Sequence, residues 1–289
     1  MVAPHLNFLQ PVIINLAPTG IIPTRAQSPH VPLQPDEVVR DVLACAEVGI
    51  TIVHLHARDP DGRSTYSKSV FSRMIGAIRD RRPDLILCVT CSGRDGLSIE
   101  ERAEVLEITG DLKPDMASLT LSSLNFVSTA SLNAPDTVTT LAERMRDRGI
   151  KPELEVFDIG MGNMMAALLR RRLIEPPLYA NLLFGNIASA QARFTDIGAV
   201  IASLPSADVV YGLAGIGPAQ LPVTALAVAL APAVRIGLED NLWLDAERQK
   251  PATNKVLVER VHALASAIGR PVMTATEARF RLGLVKLGG

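Results

Sequence analysis

Apolar and polar positions along the chain fall into two alternating rhythms. Short continuous runs of aliphatic and β-branched residues recur at 12–17, 51–56, 85–91, 115–119, 153–157, 178–184, 209–213 and 233–238. Runs of that length read as strands buried on both faces. Between them lie longer segments of helical periodicity, at about 34–48, 68–82, from Ser98 onward, 135–148, 164–173, 195–203, 220–229 and 254–268, with a short closing helix at 275–282. Helix signals punctuate these segments. Pro35 precedes Asp36 and Glu37 at a first turn, Ser98 stands three residues before Glu101 as a capping box, and Gly149 stops the fourth helix. Eight strand–helix units with no linker between them predict one domain over 1–289, a closed (β/α)8 TIM barrel with a short N-terminal extension and a C-terminal helix. A doubly wound open sheet would show G-x-G-x-x-G after its first strand, and this chain does not.

In such barrels the chemistry sits where strands run out into the loops that lead to helices. Polar residues gather at those points: Thr19, His54, His56, Arg58 and Asp59, Thr90 and Ser92, Ser118 and Thr120, Glu153, Glu155 and Asp158, and Arg235 with Glu239, Asp240 and Asn241. His54 and His56 are the sharpest signal. Two residues apart on a strand, they leave one face with Cα atoms about 6.6 Å apart, close enough to share one ion. Of the other histidines, His5 lies in a loose terminus, His30 in the first loop and His262 mid-helix on the outside. A carboxylate is the better third ligand. Strand eight closes the ring beside strand one, and Glu239 shares parity with Arg235 and Gly237. Two His, one Glu and an open position make a catalytic zinc arrangement, with Arg58 or Asp59 as groups that orient the ligands. The same donors would suit a non-haem Fe(II) oxygenase, and Arg235 with Glu239 or Asp240 would also make a plain buried salt bridge.

Composition narrows the function classes. With 48% hydrophobic residues, a formal net charge of -1 and no long basic run, nothing asks for nucleic acid or an anionic membrane. No apolar run reaches the roughly 20 residues of a membrane span, and the first ten residues lack a signal-peptide pattern. Three cysteines fit a reducing cytoplasm better than a disulfide framework, and Cys88 and Cys91, on opposite faces of a strand, read as core. Aromatic residues make up only 4%, which leaves no visible interface anchor.

Several segments carry a family resemblance. Residues 53–59 (VHLHARD), 113–119 (KPDMASL), 152–158 (PELEVFD), 214–217 (AGIG) and 235–241 (RIGLEDN) resemble the β-keto acid cleavage enzymes, in register from about Pro11 to Leu284. The resemblance implies a zinc-dependent barrel that condenses a β-keto acid with acetyl-CoA, giving acetoacetate and a new acyl-CoA. It implies Zn2+ on His54, His56 and Glu239, Asp240 as acid/base, and support from Arg235 and the hydroxyl of Thr90. It places Ser118 against substrate and the Ser92-Gly93 turn at the substrate carboxylate, and it implies a homo-oligomer, a dimer or tetramer. Departures are visible too. Ile22 stands where the family type has a glutamate for a cationic tail, so a non-cationic tail is expected, and Arg25 leaves room for an anionic one. The turn after strand three is interrupted by Cys91-Ser92 and Arg94-Asp95, a Gly-Gly pair is missing after Phe184, and Pro218 replaces an arginine. Another metal-dependent carbon–carbon lyase and a barrel that binds a ligand without turning it over are the alternatives.

Overall fold

Eight parallel strands close on themselves in chain order, β1 (Ile13–Leu16), β2 (Ile52–Leu55), β3 (Ile86–Val89), β4 (Met116–Thr120), β5 (Lys151–Val156), β6 (Leu178–Phe184), β7 (Val209–Gly215) and β8 (Ala233–Ile236), in a computed structural model that describes residues 10–94 and 96–284. The seam is the β1–β8 pairing, with Asn15 opposite Arg235. His5 and Asp95 lie outside the described residues. Around the ring stand α1 (Pro35–Val48), α2 (Lys68–Arg79), α3 (Ile99–Ala103), α4 (Pro135–Arg148), α5 (Ile159–Arg170), α6 (Phe194–Ala202), α7 (Gln220–Leu230) and α8 (Asn254–Ala267), followed by α9 (Ala275–Arg281). No helix among the described residues is long and apolar enough to cross a membrane.

Strand alternation sorts the residues into two cores. One parity, including Ile14, Leu16, Val53, Leu55, Leu87, Val89, Leu154 and Val156, packs outward under the helices. The other parity fills the lumen in layers. Ile13, Ile52, Ile86, Met116 and Tyr179 make an apolar floor, which Ala278 and Leu282 at the C-terminal helix seal from below. Two residues further along the same strands the lumen turns polar, with Asn15, His54, Glu153, Asn181 and Arg235 all buried. Polar side chains at that depth need to satisfy one another, and these form one network in which the Asn15 Oδ1 is left without a partner among the described residues.

Most predicted bounds hold to within a few residues, and α4 begins and ends where its Pro35-like start and Gly149 stop place it. The helix after β5 does not. It begins at Ile159 rather than near 164, because Asp158 caps it: the Asp158 carboxylate accepts the Ile159 N–H at 2.7 Å. Gly160 and Gly162 in its first turn disguise that start as loop. Asp158 is therefore a capping residue at the mouth, not a member of the polar cluster.

Candidate active site

The strand ends bring His54, His56 and Glu239 together. His54 Nε2 and His56 Nε2 are 3.1 Å apart, His56 Nε2 lies 3.4 Å from Glu239 Oε1, and His54 Nε2 lies 3.9 Å from Glu239 Oε2. Ligand bonds of about 2.1 Å in a tetrahedral shell put neighbouring donors about 3.4 Å apart, so these separations suit one small divalent ion. Glu239 Oε2 and His56 Nδ1 are buried without a hydrogen-bond partner among the described residues. An orphaned carboxylate oxygen 3.9 Å from one imidazole nitrogen, on a group whose other oxygen lies 3.4 Å from the second, is costly as it stands and is relieved by a cation.

Glu239 reaches the site by a route that simple parity does not describe. β8 ends at Ile236, and Gly237 turns the chain with φ 152°. A Cβ on Gly237 would sit 2.0 Å from the Ala17 carbonyl, so only glycine lets β8 pass β1 there. The Glu239 N–H then donates to Ala17 O at 3.2 Å, and Gly20 leaves space for the Glu239 side chain, since a Cβ at residue 20 would lie 2.7 Å from its Cγ.

Beneath the ligands lies a carboxylate whose role the sequence did not announce. Glu153 is fully buried, and its Oε2 accepts from His54 Nδ1 at 2.5 Å. Asn15 and Asn181 donate to its Oε1 at 2.6 and 2.9 Å, and Tyr179 Oη accepts from Asn15 at 3.1 Å. This contact fixes the His54 tautomer so that Nε2 points into the site. Burial would raise the Glu153 pKa, but His54 and Arg235 outweigh it and hold the carboxyl at about 2. Burial would likewise lower His54, yet Glu153 and Glu239 lift it to about 9. His56, with burial dominant, is pushed down and stays a neutral donor. The orienting task thus falls to Glu153, whereas Arg58 donates to the Gly20 and Pro23 carbonyls at 2.9 and 2.7 Å and Asp59 holds a turn through Arg63 N–H.

Arg235 is the fourth wall of the cluster. Its Nε donates to Asp240 Oδ2 at 2.9 Å, its Nη2 to Glu239 Oε1 at 2.7 Å, and its Nη1 stands 3.5 Å from Glu155 Oε1. Burial and the neighbouring Glu239 raise the Asp240 pKa in spite of Arg235. Glu239 is held well below the usual range, because His56, Arg235 and His54 outweigh burial. Over these groups opens a cavity of about 370 Å3 with His56, Thr90, Thr120, Arg235, Glu239 and Asp240 at its base.

The family is decided by the whole chain rather than by these side chains alone: the sequence matches the model of the beta-keto acid cleavage enzymes over residues 11–284. The chain belongs to that family. It is 34% identical over 280 residues to the 3-keto-5-aminohexanoate cleavage enzyme of Acetoanaerobium sticklandii, covering 96% of this chain and 100% of the relative. It is 36% identical over 277 residues to the 3-oxoadipate:acetyl-CoA acetyltransferase of Cupriavidus necator, covering 95% of each. Among solved structures, apo ObcA shares the barrel with a TM-score of 0.78 at 21% identity, over 89% of this chain and 66% of that one.

As a β-keto acid cleavage enzyme, the chain shows where its variable parts lie. Ile22 lines the cavity together with Ile21 and Pro23. Arg25 does not serve it: that guanidinium is engaged with Glu37 at 2.6 Å and with the Pro29 carbonyl. Ser92 lines the cavity, but Gly93 is packed against Leu132 O, where a Cβ would come within 2.4 Å. Ser118 accepts the Cys91 N–H at 3.1 Å from below the cavity, and Thr120, two residues on along the same face, is the hydroxyl of β4 that lines it. Thr90 lines the cavity and accepts the Ser92 N–H at 3.2 Å. His30 is exposed, and His262 bonds the Gly49 carbonyl at 2.8 Å, outside the barrel as expected. Cys91 packs in the outer core and Cys88 in the lumen, where its thiol meets Glu153 Oε2 at 3.3 Å.

Proposed function

We propose that this chain is a zinc-dependent β-keto acid:acetyl-CoA acyltransferase whose substrate tail is not cationic. The observation that carries the reading is Glu239 Oε2, buried and unpartnered opposite His54 and His56, with Asp240 beside it on the same turn. The donor set fits Zn2+, held by His54, His56 and Glu239, and such an ion supplies Lewis-acid stabilisation to negative charge developing on the ketone oxygen of the substrate.

The chain's own residues do the rest. Asp240 takes the C2 proton that lies between ketone and carboxylate, and its raised pKa favours holding that proton until it is returned. Arg235, bonded to Asp240 and Glu239, offsets the negative charge that moves from Asp240 to the substrate as the enolate forms. C2 then bonds to the acetyl carbon of acetyl-CoA and the CoA thiolate leaves. The thiolate bonds to the original ketone carbon, the C2–C3 bond breaks, and acetoacetate departs as its C2 regains the proton from Asp240. Thr90 and Ser92 line the cavity and supply hydroxyls for the substrate carboxylate, while Thr120 is committed to Glu155, Ser118 braces the Cys91 N–H and Gly93 packs closely against Leu132 O. The tail assignment rests on Ile22, which is apolar where an ammonium would need a carboxylate.

The activities of the relatives, on 3-keto-5-aminohexanoate and on 3-oxoadipate with acetyl-CoA, support the reaction type. The test is acetoacetate production from acetyl-CoA and a panel of β-keto acids. Glu239→Gln is expected to lose metal and activity together, and Asp240→Asn to lose activity while keeping the metal. Elemental analysis finding iron alone, with oxygen-dependent turnover, would overturn the zinc assignment. Equal silence of wild type and Asp240→Asn, with ligand binding still detectable, would leave a binding barrel instead. Association into a dimer or tetramer is also expected: Phe194 and Phe280, 84% and 90% exposed, are apolar anchors that composition hid. Light scattering at 31.0 kDa would refute it.

A further inference from the structure

Among the described residues, Arg94 and Arg248 line the cavity without an ion pair, and Arg94 is the one held in place. Arg94, on the loop after β3, lies over the ring of Phe126, 3.3 Å from its centroid, and Phe157 meets Phe126 edge-on at 5.7 Å. That stack holds the guanidinium by one face and leaves its in-plane N–H donors for another group. The carboxylates of the cavity are already committed. Glu239 and Asp240 bond Arg235, and Glu155 accepts from Thr120 at 2.6 Å and faces Arg235. Among the described residues no ion pair includes Arg94, although Glu239, Glu155 and Asp240 act on it across the cavity against the burial that lowers its pKa.

The charge balance says what is missing. The cavity lining carries three arginines, Arg94, Arg235 and Arg248, and three carboxylates, Glu155, Glu239 and Asp240. Arg235 already engages all three of those carboxylates, which leaves Arg94 without an adjacent anion among the described residues, and a guanidinium withdrawn from water without one is unfavourable. The Ser92 N–H donates to Thr90 Oγ1 and the Arg94 N–H to Ser92 Oγ, so Thr90, Ser92 and Arg94 follow one another from the end of β3 along the loop. Arg94 is the outermost of the three along the chain, on the side toward which a tail would extend.

We propose that Arg94 determines specificity for the substrate tail, and that this enzyme takes β-keto acids bearing a second carboxylate at the far end, releasing acyl-CoA products with a terminal carboxylate. This rests on the reaction assigned above and replaces Arg25, which Glu37 occupies, as the anion-binding group.

The experiment compares metal-loaded wild type with Arg94→Met and Arg94→Lys on 3-oxoadipate and on 3-oxohexanoate, which differ only at the tail end. Wild type is expected to favour the diacid. Arg94→Met should lose about ten- to a hundredfold in kcat/KM on 3-oxoadipate, as for a lost charge-assisted pair, with 3-oxohexanoate held within about twofold. Arg94→Lys should fall between. An equal loss on both acids would assign Arg94 to the carboxylate they share and overturn the proposal, as would no change on either or a wild-type preference for 3-oxohexanoate. If wild type turns over neither acid, the reaction assignment fails by itself, and calorimetry with 3-oxoadipate decides Arg94 separately. Binding that Arg94→Met abolishes sustains its role; binding that the substitution leaves intact, or none in wild type, ends it.

Discussion

Replacing Glu153 with glutamine tests the buried layer under the ligands with almost no change of shape. Both carboxylate oxygens of Glu153 face donors only: Asn15 and Asn181 on Oε1, His54 Nδ1 and the Cys88 thiol on Oε2. A glutamine has one acceptor oxygen and one NH2, so one side must mismatch. With the NH2 toward the asparagines, donor meets donor and about 1–3 kcal/mol is lost. With the NH2 toward His54, the imidazole must accept at Nδ1 and carry its proton on Nε2, the nitrogen that a metal requires. Either outcome weakens the site. Loss of such a carboxylate–histidine contact weakens metal binding about 10- to 100-fold, or about 1.4–2.7 kcal/mol. Competition with a chromophoric zinc chelator gives the two dissociation constants directly, and melting of the metal-free proteins reports the folding cost. A Kd within about twofold of wild type, with the variant folded, would refute the role assigned to Glu153.

Arg235→Met should be among the most damaging single changes, because it leaves Glu155, Glu239 and Asp240 facing one another; a loss of about 3–5 kcal/mol is expected in urea unfolding of metal-free protein. Gly237→Ala should abolish metal uptake as well as lower stability, since its Cβ would fall 2.0 Å from Ala17 O and displace the turn that carries Glu239; equilibrium dialysis with zinc checks it. Glu37 accepts the Leu33 and Gln34 N–H groups and pairs with Arg25, which together outweigh burial and hold its pKa below the ordinary 4.5. Its stabilising contribution is complete above that value and is lost as pH falls through the depressed one. Glu37→Gln should therefore melt below wild type at neutral pH, with the gap closing in acid; a gap that stays constant however far the pH falls below the ordinary carboxyl range would contradict this.

The barrel was legible because its two rhythms are strong. Eight aliphatic runs at regular intervals admit few arrangements, and the His-x-His pair falls on a strand end in any of them. Glu239 was reached by parity along β8, yet the chain leaves the strand at Ile236 and a glycine turn delivers the carboxylate. The residue that the structure sets beside the two histidines was thus reached for a reason that does not hold locally. Glu153 was visible as a strand carboxylate, but nothing in its neighbours says whether such a group faces substrate or lies one layer below. That distinction depends on the stagger of β5 against β2, which links residues 99 positions apart. Arg94 and Arg25 show the same limit for cations: their partners, Phe126 and Glu37, are fixed by how two loops fold back. Ser118 and Thr120 share a face of β4, so only the depth of the cavity could choose between them.

The seam between β1 and β8 gives the proposed ion a second consequence. Two of its proposed ligands come from the end of β2, near one end of the ring, and the third from the turn after β8, near the other. A cation held by all three therefore ties together segments that meet only when the circle of strands is complete. A chain with the last strand undocked would have the histidines in place and no Glu239 to join them. Metal affinity then becomes a measure of ring closure, and a barrel that breathes at its seam would release its ion before it lost any helix.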